Sequence, residues 1–307
     1  LNIHLVLKRE LFAKGIFMAK DDKALRLGDG RTLAYTEHGD LAGKPILFIH
    51  GNPGSRNVRH PDESISERLG ARIITPDRPG YGLSTFQPGR KLLDYPDDIV
   101  QLMDSLSINR FAVLGVSAGG PYAAACAYKL PDRVSRTAIV SGAAPLDREN
   151  PYENVHPSIR SGFQLAKTLP GWAATPLLMM QARKQRRDPE GSLMERATIL
   201  SKFDQDMLKR PEIKAQVLGY REEALRQGVK GTLRELQILA SPWGFRLGEI
   251  RGRVDVWHWE DDLLAPVQMG RYYAEHIPNA QAHILPGGGH YSIFESWGEI
   301  IQCLLND

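Results

Sequence analysis

The sequence has few of the residues that would point to metal, redox or nucleic-acid chemistry. It holds only two cysteines, Cys126 and Cys303. Both lie among apolar residues of helix-like stretches and read as small core hydrophobes, not as a disulfide framework. No zinc-ligand spacing occurs, and no Walker or Rossmann glycine loop, so neither a metal nor a cofactor is implied. Charge of one sign is scarce as well. Lys and Arg total 39 against 36 Asp and Glu, a net charge of +3, which is too small to argue for a nucleic-acid partner. The densest basic run, Arg183-Lys184-Gln185-Arg186-Arg187, has no second basic stripe beside it and reads as a solvated helix face. No apolar run approaches the ~18 residues of a membrane span, so no stable membrane anchor is expected. Leu5-Val6-Leu7 is too short for a signal core and no small-residue cleavage site follows it. A cytoplasmic protein is therefore expected, with residues 1–18 as an N-terminal appendage.

What is present is a serine in a telling place. Gly115-Val116-Ser117-Ala118-Gly119 follows the apolar run Phe111 to Leu114 and precedes the small-residue run Pro121 to Ala125. A G-x-S-x-G pattern alone is common in loops. Strand before it and helix after it make a sharp turn with an exposed hydroxyl at its apex. A serine hydroxyl is a poor nucleophile at neutral pH and needs a base, and the base needs an orienting group. Both are available further along. The strand-like Ala282 to Pro286 runs into Gly287-Gly288-Gly289-His290. Val254 to Trp259 alternates and then breaks at Glu260-Asp261-Asp262, which puts carboxylates just past a strand end. His290 alone among the nine histidines has both the loop and the chain order of a base. His50 reads as a structural turn residue and His258 as a core histidine. A further turn, His50-Gly51-Asn52-Pro53-Gly54, follows the buried-type strand Pro45 to Ile49. The backbone N–H groups of Asn52 and Ala118 are both candidates to meet a developing oxyanion.

At 307 residues the chain is one large domain, or one with an insertion. Strand patterns recur at Thr32–Glu37, Pro45–Ile49, Arg72–Thr75, Phe111–Gly115, Arg136–Ser141, Val254–Trp259 and Gln281–Leu285. Helix-like stretches such as Tyr95–Leu106 and Pro121–Leu130 lie between them. This alternation predicts an α/β fold, a mostly parallel sheet with helices on both faces. Active sites of such sheets lie beyond the C-terminal strand ends, where Asn52, Ser117, Asp262 and His290 all fall. From about residue 147 to 246 the alternation stops. Helical patterns at Ile159–Thr168, Thr175–Arg187, Leu193–Lys209 and Glu212–Gln227 predict a helical insertion, which leaves 19–146 and 247–307 as the core.

Five segments together resemble the α/β-hydrolase superfamily over residues 24 to 307, nearly the whole chain. They are His50 to Gly54, Asp77-Arg78-Pro79-Gly80-Tyr81-Gly82-Leu83-Ser84, Gly115 to Gly120, Asp262 with Pro266, and Gly289-His290. The resemblance implies Ser117 as nucleophile, His290 as base and Asp262 as orienting acid. It also implies Asn52 and Ala118 as oxyanion-hole donors, residues 147–246 as a cap over the site, and a structural role for Asp77 to Ser84. Trp259 stands where the family usually has glycine before its acid. The Asp-to-Pro spacing still favours Asp262 over Asp261. Haloalkane dehalogenases share the His-Gly-Asn-Pro turn but carry Asp-Trp where this chain has Ser117-Ala118. The expected function is a cofactor-free carboxylesterase acting on a small-molecule substrate through an acyl-enzyme. Alternatives are a proline-iminopeptidase-type aminopeptidase, a carbon–carbon bond hydrolase, a cofactor-free perhydrolase, and a ligand-sensing protein that retains the triad.

Overall fold

The computed structural model describes residues 21–146, 151 and 153–306. The expected appendage at 1–18 and residues 147–150 and 152 of the expected insertion lie outside them. Eight strands form one sheet: β1 Lys23–Arg26, β2 Thr32–Gly39, β3 Lys44–Ile49, β4 Ala71–Pro76, β5 Phe111–Val116, β6 Val134–Val140, β7 Val254–Trp259 and β8 Ala280–Leu285. Their spatial order is β1-β2-β4-β3-β5-β6-β7-β8. β2 runs antiparallel to β1 and β4, and every pairing from β4 across to β8 is parallel. All seven expected strands occur. β1 was not anticipated, because Lys-Ala-Leu-Arg carries too little alternation to read as a strand alone.

The central strands are apolar throughout because both faces are covered. Side chains alternate across the pleat. On β5, Phe111 and Val113 join one apolar cluster, while Ala112, Leu114 and Val116 join the other. On β7, Val254 and Val256 part from Trp257 and Trp259 in the same way. Helix α1 (Ser64–Arg68) packs Ile65 against the second cluster, and α2 (Tyr95–Ser105) and α3 (Gly120–Lys129) cover the first.

Between β6 and β7 the described residues form six helices: α4 Pro157–Thr168, α5 Gly171–Arg187, α6 Pro189–Ala197, α7 Lys202–Met207, α8 Pro211–Ala224 and α9 Lys230–Leu239. The single helix expected over 193–209 is two. The first ends at Ala197, and Ser201 caps α7, its hydroxyl accepting from Asp204 N at 3.1 Å. After β7, α10 (Val267–His276) lies on the first cluster and α11 (Trp297–Leu305) on the second. Between β8 and α11, His290–Phe294 forms a 3₁₀ turn. Among the described residues no helix is long and apolar enough to cross a membrane.

Candidate active site

Ser117 sits at the junction of β5 and α3 with φ +56°, a left-handed backbone that costs a non-glycine residue energy and marks a constrained site. The flanking glycines are there for space. A Cβ on Gly115 would meet Gly119 O at 2.4 Å, and one on Gly119 would meet Ile49 O at 2.2 Å. Strand, turn and helix therefore close tightly only without side chains there. The 50–54 turn lies against the serine, since a Cβ on Gly51 would come within 3.1 Å of Ser117 Cβ.

Two carbonyls fix how the neighbouring amides point. Arg78 Nη2 donates to Gly51 O at 2.7 Å. The Asn52 N–H belongs to the same planar trans peptide unit and faces the opposite way. Ala143 N donates to Ser117 O at 3.0 Å, which turns the Ala118 N–H away from Ala143 by the same geometry. Tyr81 OH donates to Asn52 Oδ1 at 2.9 Å and holds that side chain. Arg78 is itself held by Glu235 of α9 at 2.5 Å, and Glu235 also takes Arg90 at 2.9 Å. All three side chains are buried. The Asp77–Ser84 segment carries this brace. Asp77 accepts from Arg56 N, Leu83 N and Arg56 Nη1 at 2.6, 2.9 and 2.7 Å.

The acid and the histidine meet at the ends of β7 and β8. Asp262 Oδ2 lies 2.8 Å from His290 Nδ1, and Oδ1 accepts from Leu264 N and Ala265 N at 2.9 Å each. Asp262 is buried, whereas Asp261 is exposed. The glycine run before His290 has a steric cause. Gly287 and Gly288 have φ +66° and +69°, and a Cβ on Gly288 would collide with Trp259 Cδ1 at 2.4 Å. Trp259 is thus accommodated by a glycine across the loop. A Cβ on Gly289 would strike Asp204 Cγ at 2.5 Å.

Asp204, from α7, is the residue the motifs did not reveal. Its carboxylate accepts from His290 N at 3.0 Å and Tyr291 N at 2.8 Å, and Ser201 Oγ donates to it at 3.0 Å. Burial works against a charged His290, but Asp262 and then Asp204 outweigh it and Arg196 subtracts. The net effect raises its pKa above the usual 6.5. Burial would raise Asp262, yet His290 and the backbone donors hold its carboxyl below the usual range. Burial lowers the His258 pKa, against an opposing contribution from Asp262. Its Nε2 meets Ala265 O at 2.6 Å, while its buried Nδ1 has no partner, so it is a core histidine only half satisfied.

Ser117, Ala118, Asn52 and His290 line one cavity of about 420 Å³, and Asp262 lies behind His290, outside the lining. That volume suits a small molecule. Residues of α4, α5, α6, α8 and α9 line its other wall, among them Phe163, Leu178, Arg196, Arg221 and Leu236. A second titratable cluster, Asp255, His283 and Cys303, offers three ligand-type atoms within 4.8 Å of one another. Arg136 already occupies it, 2.6 Å from Asp255 and 3.1 Å from Cys303 Sγ. A metal would face that guanidinium, so the cluster is an ion-pair network under the edge of the sheet.

The family model of the alpha/beta hydrolase fold matches residues 44–296, and the chain belongs to that family. An uncharacterized hydrolase, YcgS of Bacillus subtilis, is 36% identical over 113 residues, which is 37% of this chain and 39% of that protein. A 2-hydroxy-6-oxo-6-phenylhexa-2,4-dienoate hydrolase of Burkholderia cepacia is 24% identical over 82% of this chain and 83% of its own length. The fold of an esterase from Exiguobacterium antarcticum superimposes with a TM-score of 0.67 at 19% identity, covering 92% of this chain and 97% of the esterase.

Proposed function

We propose that this chain is a serine hydrolase that transfers an acyl group to water, with a small carboxylic ester as the expected substrate. The observation that carries this reading is the His290–Asp262 pair at 2.8 Å, with His290 on the same cavity as the strained Ser117. In the proposed mechanism Asp262 fixes His290 with Nδ1 protonated, which leaves Nε2 to accept the Ser117 proton. Ser117 Oγ attacks the carbonyl carbon. The oxyanion that forms accepts from the Asn52 and Ala118 N–H groups, whose peptide planes are set by Arg78 and Ala143. Such a donor contributes about 2.7–4 kcal/mol in the transition state. His290 then protonates the departing alcohol. A water deprotonated by His290 releases the acid and restores Ser117.

The aminopeptidase alternative requires an acid on the cavity to hold a substrate amine. Among the described residues no Asp or Glu lines it, and Glu153, Glu195, Asp204 and Glu222 all lie elsewhere. Carbon–carbon bond cleavage uses the same three residues and differs in the substrate alone. A fluorophosphonate probe tests the reading. It should label the wild-type protein at Ser117 and leave Ser117→Ala unlabelled, and p-nitrophenyl esters of graded chain length should be turned over by the wild type alone. Equal labelling of the two proteins would refute the nucleophile assignment.

A further inference from the structure

The cavity has an unusual charge balance. Arg59, Arg196 and Arg221 line it and, among the described residues, no carboxylate does. Arg59 has an acid elsewhere, Glu63 at 3.2 Å. Among the described residues Arg196 and Arg221 have none. The contact found for Arg221 is Gln185 Oε1 at 3.5 Å. Arg221 is buried and Arg196 partly so. The two are near enough that Arg221, together with burial, holds the Arg196 guanidinium below its usual range. Elsewhere in the molecule buried arginines are matched. Arg56 has Asp22 and Asp77, Arg78 and Arg90 share Glu235, and Arg136 has Asp255. That is the ordinary condition for a charge removed from water. Two neighbouring cations on the wall of this cavity, with no acid among the described residues, carry an electrostatic cost that an anion would remove.

We propose that Arg196 and Arg221 form an anion subsite in this cavity, so that the substrate is an acyl compound carrying a carboxylate. The proposal rests on the hydrolase reading and names its substrate class. A guanidinium fork matches a carboxylate with two parallel N–H···O bonds. Gln185, which meets Arg221, and Tyr291, which feels both arginines, line the cavity with them. Arg196 is felt electrostatically at His290, which brings the subsite within reach of a substrate whose carbonyl lies at Ser117. The rest of the wall, including Phe163, Leu178 and Leu236, is apolar and suits the carbon chain that joins the two groups.

The test pairs two esters of similar length, p-nitrophenyl hemiglutarate with a terminal carboxylate and p-nitrophenyl valerate with a methyl. Wild-type kcat/KM should favour the hemiglutarate by about tenfold or more, and Arg196→Gln or Arg221→Gln should lower that ratio roughly 10–100-fold, mostly through KM. Lysine at either position should restore part of it. Glutarate titrated calorimetrically into Ser117→Ala should bind, and into Ser117→Ala with Arg196→Gln it should not. Binding of glutarate reads the subsite without any turnover. Glutarate binding without ester hydrolysis supports the subsite and defeats the hydrolase reading. Valerate hydrolysis with no hemiglutarate preference and no glutarate binding does the reverse. The glutamine variants should keep the wild-type Tm, because each sheds an unmatched charge. A large fall in Tm would make the arginines structural and overturn the proposal.

Discussion

On the sheet side of the cavity every charged group has its partners in place. Asp262 engages His290 through one oxygen and two backbone amides through the other. Arg78 is held by Glu235 while it grips Gly51 O. On the helical side Arg196 and Arg221 line the same space with no acid among the described residues. The difference separates two kinds of work. Groups that handle a proton and an oxyanion have to be fixed before substrate arrives, because reorganisation at the moment of reaction is what preorganised sites avoid. Groups that recognise a ligand are completed by it. On the proposal above, the same residue type is structural where it is paired and a recognition element where it is not.

The largest expected effect breaks the completed wall. Asp262→Asn should fold normally yet lower kcat by about 10⁴, because the amide no longer holds the histidine in the required tautomer. Asp261→Asn, exposed and off the network, should cost far less. Steady-state kinetics on p-nitrophenyl esters decides this, and reversed effects would move the acid to Asp261.

The next concerns stability and sets the two walls side by side. Glu235→Gln leaves Arg78 and Arg90 buried without an anion, and loss of one member of a buried ion pair costs about 3–5 kcal/mol. Arg196→Gln removes a cation that had no anion, so it should cost nothing of that kind. Urea unfolding of both variants measures the contrast. Equal destabilisation would show that Arg196 has a structural partner after all.

Asp204→Asn should give a smaller loss. The carboxylate accepts from two backbone amides of the histidine loop, and a hydrogen bond to a charged group contributes about 1.5–3 kcal/mol. An amide keeps one acceptor and presents N–H to the other donor. Because Asp204 raises the His290 pKa, its neutralisation should also move the acidic limb of kcat/KM to lower pH. A variant with unchanged stability and an unmoved limb would reduce Asp204 to a bystander.

The legible parts of the molecule were those whose cause is local. Phe111 to Val116 reads as a strand because both of its faces are buried. The glycines around Ser117 read as a turn because close approach demands them, and the glycines before His290 carry the same signal. The helical wall was harder to read. Asp204 and His290 are 86 residues apart, and nothing near Asp204 indicates that its helix starts there to meet a loop from the other end of the chain. The signal in hand was Ser201, a capping residue inside what read as one helix. Arg196 and Arg221 lie on ordinary amphipathic patterns. Their unmatched state is a property of the folded cavity, visible only once the acids are seen to be elsewhere. Helix α9, which carries Glu235, lies inside the helical stretch expected over 147–246 but matched none of the individual helical patterns.

The smallest expected effect tests whether the two walls sense each other. In the proposed mechanism His290 has to be neutral to accept the Ser117 proton, so kcat/KM should fall as pH drops through the His290 pKa of the free enzyme. That pKa is raised above 6.5 as the balance of burial, Asp262, Asp204 and an opposing contribution from Arg196. A cation beside the imidazole disfavours protonation. Removing it in Arg196→Gln should therefore raise the pKa and shift the acidic limb to higher pH. The shift is opposite in sign to that of Asp204→Asn. The measurement is the kcat/KM–pH profile on a neutral ester such as p-nitrophenyl valerate, each profile scaled to its own plateau so that altered binding drops out. A limb that stays in place, or moves down, would mean that Arg196 does not act on His290, and the anion subsite would lie out of electrostatic reach of the reacting centre.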